Sequence, residues 1–175
     1  NSVAAAAVAL TVGISISHIK KGLSSFRGVQ RRFNKIFTYN KIDFYDDYAH
    51  HPTEIKVVLD GVNKVYKNYE KVCVFQPHRI SRLKDLKKEF SFAFKDADTV
   101  ILCPIFTAGE KIKLGFSYLN FAKEVIKNSN VKLFLVNNNF ELAKFIKKNM
   151  HGKKIIIGMG AGSISQWMKK LPELL

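Results

Sequence analysis

A mostly parallel, doubly wound, Rossmann-like α/β sheet is the fold this sequence predicts, and three observations predict it. From residue 41 onward, short apolar runs rich in β-branched residues alternate with longer stretches of helical period. Such alternation builds parallel sheets, because consecutive strands are joined by crossover helices. The chain has 175 residues, 47% of them hydrophobic, enough to bury a core. The unusual polar and glycine-rich clusters all follow the apolar runs, toward the carboxyl ends of the strands.

The elements follow in order. "VAAAAVALTVGI" reads as a buried helix; it is too short to span a bilayer and lacks the basic flank of a signal peptide. A second short helix is expected around "SHIKKGLSSF". Residues 27–41, "RGVQRRFNKIFTYNK", change composition and cluster arginines, which marks a domain boundary. Strands are then expected in "KIDFYDD", "KVCVFQ", "TVILCPI", "VKLFLVN" and "KKIIIGM". The intervening helices are "EIKVVLDGVNKVYK", "LKDLKKEFSFAFK", "SYLNFAKEVIK", "FELAKFIKKN" and finally "SISQWMKKL". Because the chain opens on Asn1 rather than a methionine, a fragment of a longer protein is expected.

Charge and cysteine content bound the function. A net charge of +15 favours phosphorylated or polyanionic partners through long-range attraction. Most of the excess is lysine on the helices, which reads as a solvated face. Cys73 and Cys103 each lie in an apolar run and read as small hydrophobes, which makes a reducing cytosol the default.

Ligands of open α/β sheets bind outside the carboxyl ends of the strands. On that rim the sequence places "DDYAHHP", "QPHRISR", "PIFTAGE", "VNNN" and "GMGAGS". Arg79 and Arg82 fall three apart and share a face if a helix starts near Ile80. A guanidinium pair beside free helix amides suits a carboxylate or phosphate, while salt bridges to Asp85 or Glu89 are the structural alternative. His50 has the reference pKa for proton transfer or for hydrogen bonding a substrate, whereas His51, before Pro52, reads as a helix cap. Adjacent histidines diverge and no HxH, HxxxH or CxxC spacing occurs, which argues against zinc. Gly158, Gly160 and Gly162 lack the glycine that a dinucleotide fingerprint wants where Ser163 stands, and the acidic residue on a following strand, and read as a tight turn. His18, His151, Trp167 and "FSFAF" read as core or surface.

Four motifs, "FYDDYAHHPTEI", "VFQPHRISRLKDL", "IFTAGE" and "MGAGSI", stand in the order and spacing of the Mur ligase family, which the chain resembles; "NSVAAAAVALTVGI" and "SFRGVQRRF" extend the resemblance to the start. The most similar branch adds L-alanine to UDP-N-acetylmuramate. The resemblance implies an ATP-dependent, carbon–nitrogen bond-forming ligase of peptidoglycan precursor synthesis in the bacterial cytoplasm, working through an acyl phosphate with Mg2+.

It also implies that residues 1–32 end a central ATP-binding domain and its hinge, and that residues 33–175 form the carboxyl-terminal, Rossmann-like, amino-acid-binding domain. Carried over residue by residue, Asn1, Arg32 and Asp47 approach ATP. Tyr48, His50, His78, Arg79 and Arg82 surround L-alanine, with His50 and His78 as the catalytic candidates. Ala49 stands where the family usually has glycine, and Asn34 where an acidic residue commonly follows RRF. No GxxxxGK[ST] loop or UDP-binding glycine motif occurs, so a carboxyl-terminal fragment is expected, contacting UDP-N-acetylmuramate mainly through other domains, with most Mg2+ ligands elsewhere too. No nucleic-acid or membrane partner is expected. Two rivals are a basic nucleic-acid-binding module, which would need aromatics interleaved with the lysines, and a nucleotide-binding oxidoreductase domain.

Overall fold

A computed structural model describes residues 2–111 and 117–175. The chain divides into two compact units, Asn1–Gln30 and Arg31–Leu175. The first holds α1 (Ser2–Thr11) and α2 (Ile16–Ser25). Alanine, the strongest helix former, fills α1. Ser15 caps α2, accepting the His18 amide at 3.4 Å. Neither helix contains a buried residue. The expectation of a buried Ala-rich helix is therefore not met within this unit, because two ten-residue helices supply no second layer to enclose either one.

The second unit runs β1 (Asn34–Tyr39), β2 (Ile42–Asp47), α3 (Pro52–Val65), β3 (Glu70–Phe75), α4 (Ile80–Asp85), α5 (Lys87–Ser91), β4 (Thr99–Leu102), α6 (Tyr118–Ser129), β5 (Lys132–Leu135), α7 (Asn139–Asn149), β6 (Lys154–Met159) and α8 (Ile164–Leu174). The sheet order is β1-β2-β6-β3-β4-β5. Only β1 is antiparallel; β2, β6, β3, β4 and β5 are parallel neighbours in that order.

Strand periodicity explains why both faces need cover. Tyr45, Phe75 and Ile157 point to a core shared with α3, α4, α5 and α6 through Leu59, Leu83, Phe90 and Phe121. Their chain neighbours Phe44, Val74 and Ile156 point to the opposite core, closed by α7 and α8 through Leu142, Ile146 and Met168. Continuous apolar strands of this kind are stable only between two helical layers. The free thiols of Cys73 and Cys103 are buried, one in each core, and burial holds their pKa values well above the ordinary thiol range.

Two elements differ from the expectation. Residues 34–39, read as part of a boundary segment, form an edge strand closed by a tight hairpin in which Asn40 and Lys41 have φ of 48° and 65°. The helix expected over "LKDLKKEFSFAFK" begins earlier, at Ile80, and breaks at Leu86 into α4 and α5. Beyond Ser91, the Ser129 hydroxyl donates to the Ser91 carbonyl at 2.6 Å and accepts the Phe94 amide at 3.2 Å. Those bonds replace the intrahelical ladder.

Candidate functional site

The carboxyl ends of β2, β3, β4 and β6 carry the polar clusters, as expected for an open α/β sheet. At the end of β2, Asp47 is buried, yet each carboxylate oxygen accepts a backbone amide: Oδ2 from Phe33 at 2.8 Å and Oδ1 from Ala49 at 2.7 Å. Burial raises its pKa, and the two amides oppose that rise. Asp47 thus ties the segment leading into β1 to the turn after β2, and each oxygen retains a second lone pair for a ligand. Ala49 has no left-handed φ, so its Cβ is accommodated. Asn34 Oδ1 accepts the Arg32 amide at 3.0 Å, a bond that an acidic side chain would make equally.

Arg32 is exposed, and its guanidinium lies 5.8 Å from the Tyr48 ring centroid. Arg31 sits nearer, at 4.7 Å. Arg31 also donates to the Gly160 carbonyl at 2.5 Å and approaches the buried Asp46 at 3.7 Å. Asp46 in turn accepts the Ser165 hydroxyl at 2.5 Å. The resemblance selects Arg32, and nothing in "RRF" itself signals the contacts that Arg31 makes. Asn1 lies outside the described residues.

The histidine pair separates as read. His51 caps α3, its Nδ1 accepting the Thr53 amide at 3.3 Å while Glu54 accepts the His51 amide at 3.1 Å. The His50 ring instead turns toward Tyr48 and His78, with centroid separations of 5.1 and 6.0 Å. Its Nδ1 faces two acceptors, the Tyr48 carbonyl at 2.9 Å and Glu54 at 3.3 Å. Nδ1 therefore carries the proton and Nε2 the lone pair of the neutral ring.

After β3 the chain makes a sharp corner. Arg79 precedes α4 with φ 70°, a left-handed conformation uncommon for a residue with a side chain. It is held by a short parallel bridge between His78 and Phe106: the Arg79 amide donates to the Phe106 carbonyl, and the Phe106 amide to the Pro77 carbonyl, each at 2.8 Å. The His78 ring stacks on Phe106 with centroids 5.4 Å apart. Arg82 Nη1 lies 3.4 Å from both His78 Nδ1 and its carbonyl. Burial, then the charges of Arg82, His50 and Arg79, lower the His78 pKa, with Glu110 opposing them. His78 is accordingly neutral at pH 7.

Helix α4 starts at Ile80, the condition set for the Arg79–Arg82 pair, but its amides are not all free. Glu110 accepts the Ser81 amide at 3.0 Å and the Ser81 hydroxyl at 2.6 Å, and lies 4.0 Å from Arg79. Arg79 thus pairs with Glu110 rather than Asp85 or Glu89. The glycine loop is spent on packing. A Cβ on Gly160 would lie 2.7 Å from the Gln76 carbonyl, and one on Gly162 would lie 2.5 Å from the Phe106 ring. Gln76 also accepts the Ile164 amide at 3.0 Å, satisfying the start of α8. The loop is a close turn between β6 and α8, as read. Gln76 and Phe106 lie inside two of the quoted motifs but are not singled out there, since their importance lies in what a distant part of the chain brings against them.

Tyr48, His50, His78, Arg79 and Arg82 therefore line one stretch of rim between β2 and β3, with Arg31, Arg32 and Asp47 beside it. No group of three His, Cys, Asp or Glu side chains among the described residues could hold a metal ion, and no helix among them is long and apolar enough to cross a membrane.

A family model described as Mur ligase, glutamate ligase domain, matches residues 31–162. UDP-N-acetylmuramate–L-alanine ligase of Pelagibacter ubique is 69% identical over all 175 residues, and the corresponding ligase of Mesorhizobium japonicum is 39% identical over the same length. The chain spans 38% and 37% of the length of these two relatives. The crystal structure of UDP-N-acetylmuramate–alanine ligase from Thermotoga maritima superposes with a TM-score of 0.77 at 27% identity, covering 98% of this chain and 36% of that one.

Proposed function

Since the chain belongs to the Mur ligase family, we propose that it is the carboxyl-terminal part of a ligase that uses ATP to join L-alanine to UDP-N-acetylmuramate in the bacterial cytoplasm. In this reading residues 1–32 end a central ATP-binding domain and residues 33–175 form the amino-acid-binding domain. The observation that carries it is the rim itself: two arginines and two histidines brought together from β2 and β3, with one histidine kept neutral by burial and neighbouring positive charge.

The chemistry follows from those groups. Alanine in solution carries a carboxylate and an ammonium. Arg79 and Arg82 suit the carboxylate, and the neutral ring of His78, whose Nδ1 faces Arg82, adds an Nε2–H donor. The ammonium must lose one proton before its nitrogen can attack an activated carboxyl carbon. His50, with Nδ1–H committed to the Tyr48 carbonyl, offers its Nε2 lone pair for that proton. Tyr48, held by its amide to the Arg31 carbonyl at 2.7 Å, forms the side of the site toward the arginine pair. Arg32, Asp47 and Asn1 are assigned to the nucleotide. ATP supplies the activation of the muramyl carboxylate, and Mg2+ ligands are assigned to other parts of the ligase.

A chimera tests the assignment: residues 1–175 replace the matching segment of the Pelagibacter ubique relative. Phosphate release should require ATP, UDP-N-acetylmuramate and L-alanine together. A folded chimera that releases phosphate without regard to L-alanine, or only with another amino acid, overturns the reading.

A further inference from the structure

Beyond the residues assigned to alanine, we infer that Glu110 is a positioning residue of the amino-acid site, fixing the corner at Arg79 and the direction of its guanidinium. The inference rests on the proposed ligase reading. Glu110 comes from the loop after β4, far from Arg79 in sequence. Two consecutive left-handed residues, Ala108 at φ 51° and Gly109 at φ 86°, turn the chain so that the Glu110 amide bonds the Thr107 carbonyl at 3.1 Å and the carboxylate returns to the start of α4. There its two oxygens take both donors of Ser81, and Oε1 stands 4.0 Å from Arg79 Nη1.

Two consequences follow from that placement. First, the φ of 70° at Arg79 is an unfavourable conformation, and such residues persist only where surrounding bonds over-determine them. The Phe106 bridge holds the corner on one side and the Glu110–Ser81 pair on the other. Second, the Ser81 amide already has an internal carboxylate, so an incoming carboxylate is left to the guanidiniums rather than to this amide. The Ser81 hydroxyl, then its amide, hold the Glu110 pKa below the ordinary glutamate value, which keeps the carboxylate charged and facing Arg79 throughout the neutral range. A positioning role predicts that Glu110 matters only through Arg79.

The test is a double-mutant cycle in the chimera, read as KM for L-alanine, KM for ATP and kcat. Glu110→Gln should raise KM for L-alanine about five- to tenfold, the scale of a lost charged hydrogen-bond partner. KM for ATP should stay constant. Combined with Arg79→Lys, it should add almost nothing to the loss from Arg79→Lys alone, because the two side chains act as one unit. Additive losses, or a loss falling on ATP, overturn the inference. Should Glu110→Gln fail to fold, Ser81→Ala, which keeps the charge and removes one donor, is expected to raise KM for L-alanine about two- to threefold; no change in that variant counts against the inference. Arg79→Lys impairing alanine while Glu110→Gln does not would overturn the inference and leave the ligase reading standing. Arg79→Lys leaving alanine untouched would likewise overturn the inference, because a guanidinium direction that does not matter needs no positioning, while the ligase reading still stands or falls on whether phosphate release requires L-alanine.

Discussion

Apolar residues meet opposite fates in the two units. In the first, Val3 and Val8 are 81% and 64% exposed, although their helix is mostly alanine and valine. In the second, Phe44, Phe75 and Ile157 are wholly buried between sheet and helices. Hydrophobicity supplies the drive for burial, but only a second packed layer provides somewhere for the side chain to go. The rim residues show the same dependence. Arg79 and His78 take up one arrangement because the loop after β4 lends both Phe106 and Glu110.

Hydrogen exchange on the 175-residue chain should reveal the largest contrast. Amides of β3 and β6 should open only with the whole unit, at a cost on the order of 5–15 kcal/mol, while those of α1 and α2 should exchange at close to no cost. Equal protection in α1 and β3 would break the comparison. Substitution gives the next largest effect. Phe75→Ala should destabilise the second unit by about 3–5 kcal/mol in denaturant unfolding, and Val8→Ala should stay within about 0.5 kcal/mol of the parent. A Val8→Ala cost of more than about 1 kcal/mol would mean that α1 is packed in solution.

Smaller effects sharpen the comparison inside the second unit, where a guanidinium is directed by geometry and not by charge alone. In the chimera, Arg79→Lys keeps the charge and loses the planar fork. It should reduce kcat/KM for L-alanine by about 1.5–3 kcal/mol with ATP use unchanged. Wild-type alanine kinetics would show that a point charge suffices. The smallest expected effect is in titration. Because burial and nearby positive charge lower the His78 pKa, its ring should titrate below the ordinary histidine value of about 6.5 in a proton NMR series. The folded state then binds this proton less readily than the unfolded state. The stability linked to His78 is complete above the unfolded value and falls as pH drops through it toward the folded value. His78→Gln should flatten that part of the pH–stability curve. A His78 titration at or above about 6.5 would show that the arginines do not reach the ring.

Much of this protein was legible in the chain. Alternating strand and helix periods specify a parallel sheet with two helical layers, because a strand apolar on both faces is stable nowhere else. Placement of "DDYAHHP" and "QPHRISR" after two such strands specifies which rim gathers these polar groups, and the position of His51 before Pro52 specifies a cap, since capping is a local interaction. The tertiary structure alone decided which arginine of Arg31 and Arg32 reaches Gly160, that Gln76 rather than a ligand fills the start of α8, and that Glu110 closes the corner at Arg79. Each of these bonds joins residues from 29 to 129 positions apart. Local pattern encodes periodicity and caps, whereas partners so remote are chosen only when the sheet order sets β6 beside β3 and β4 next to it.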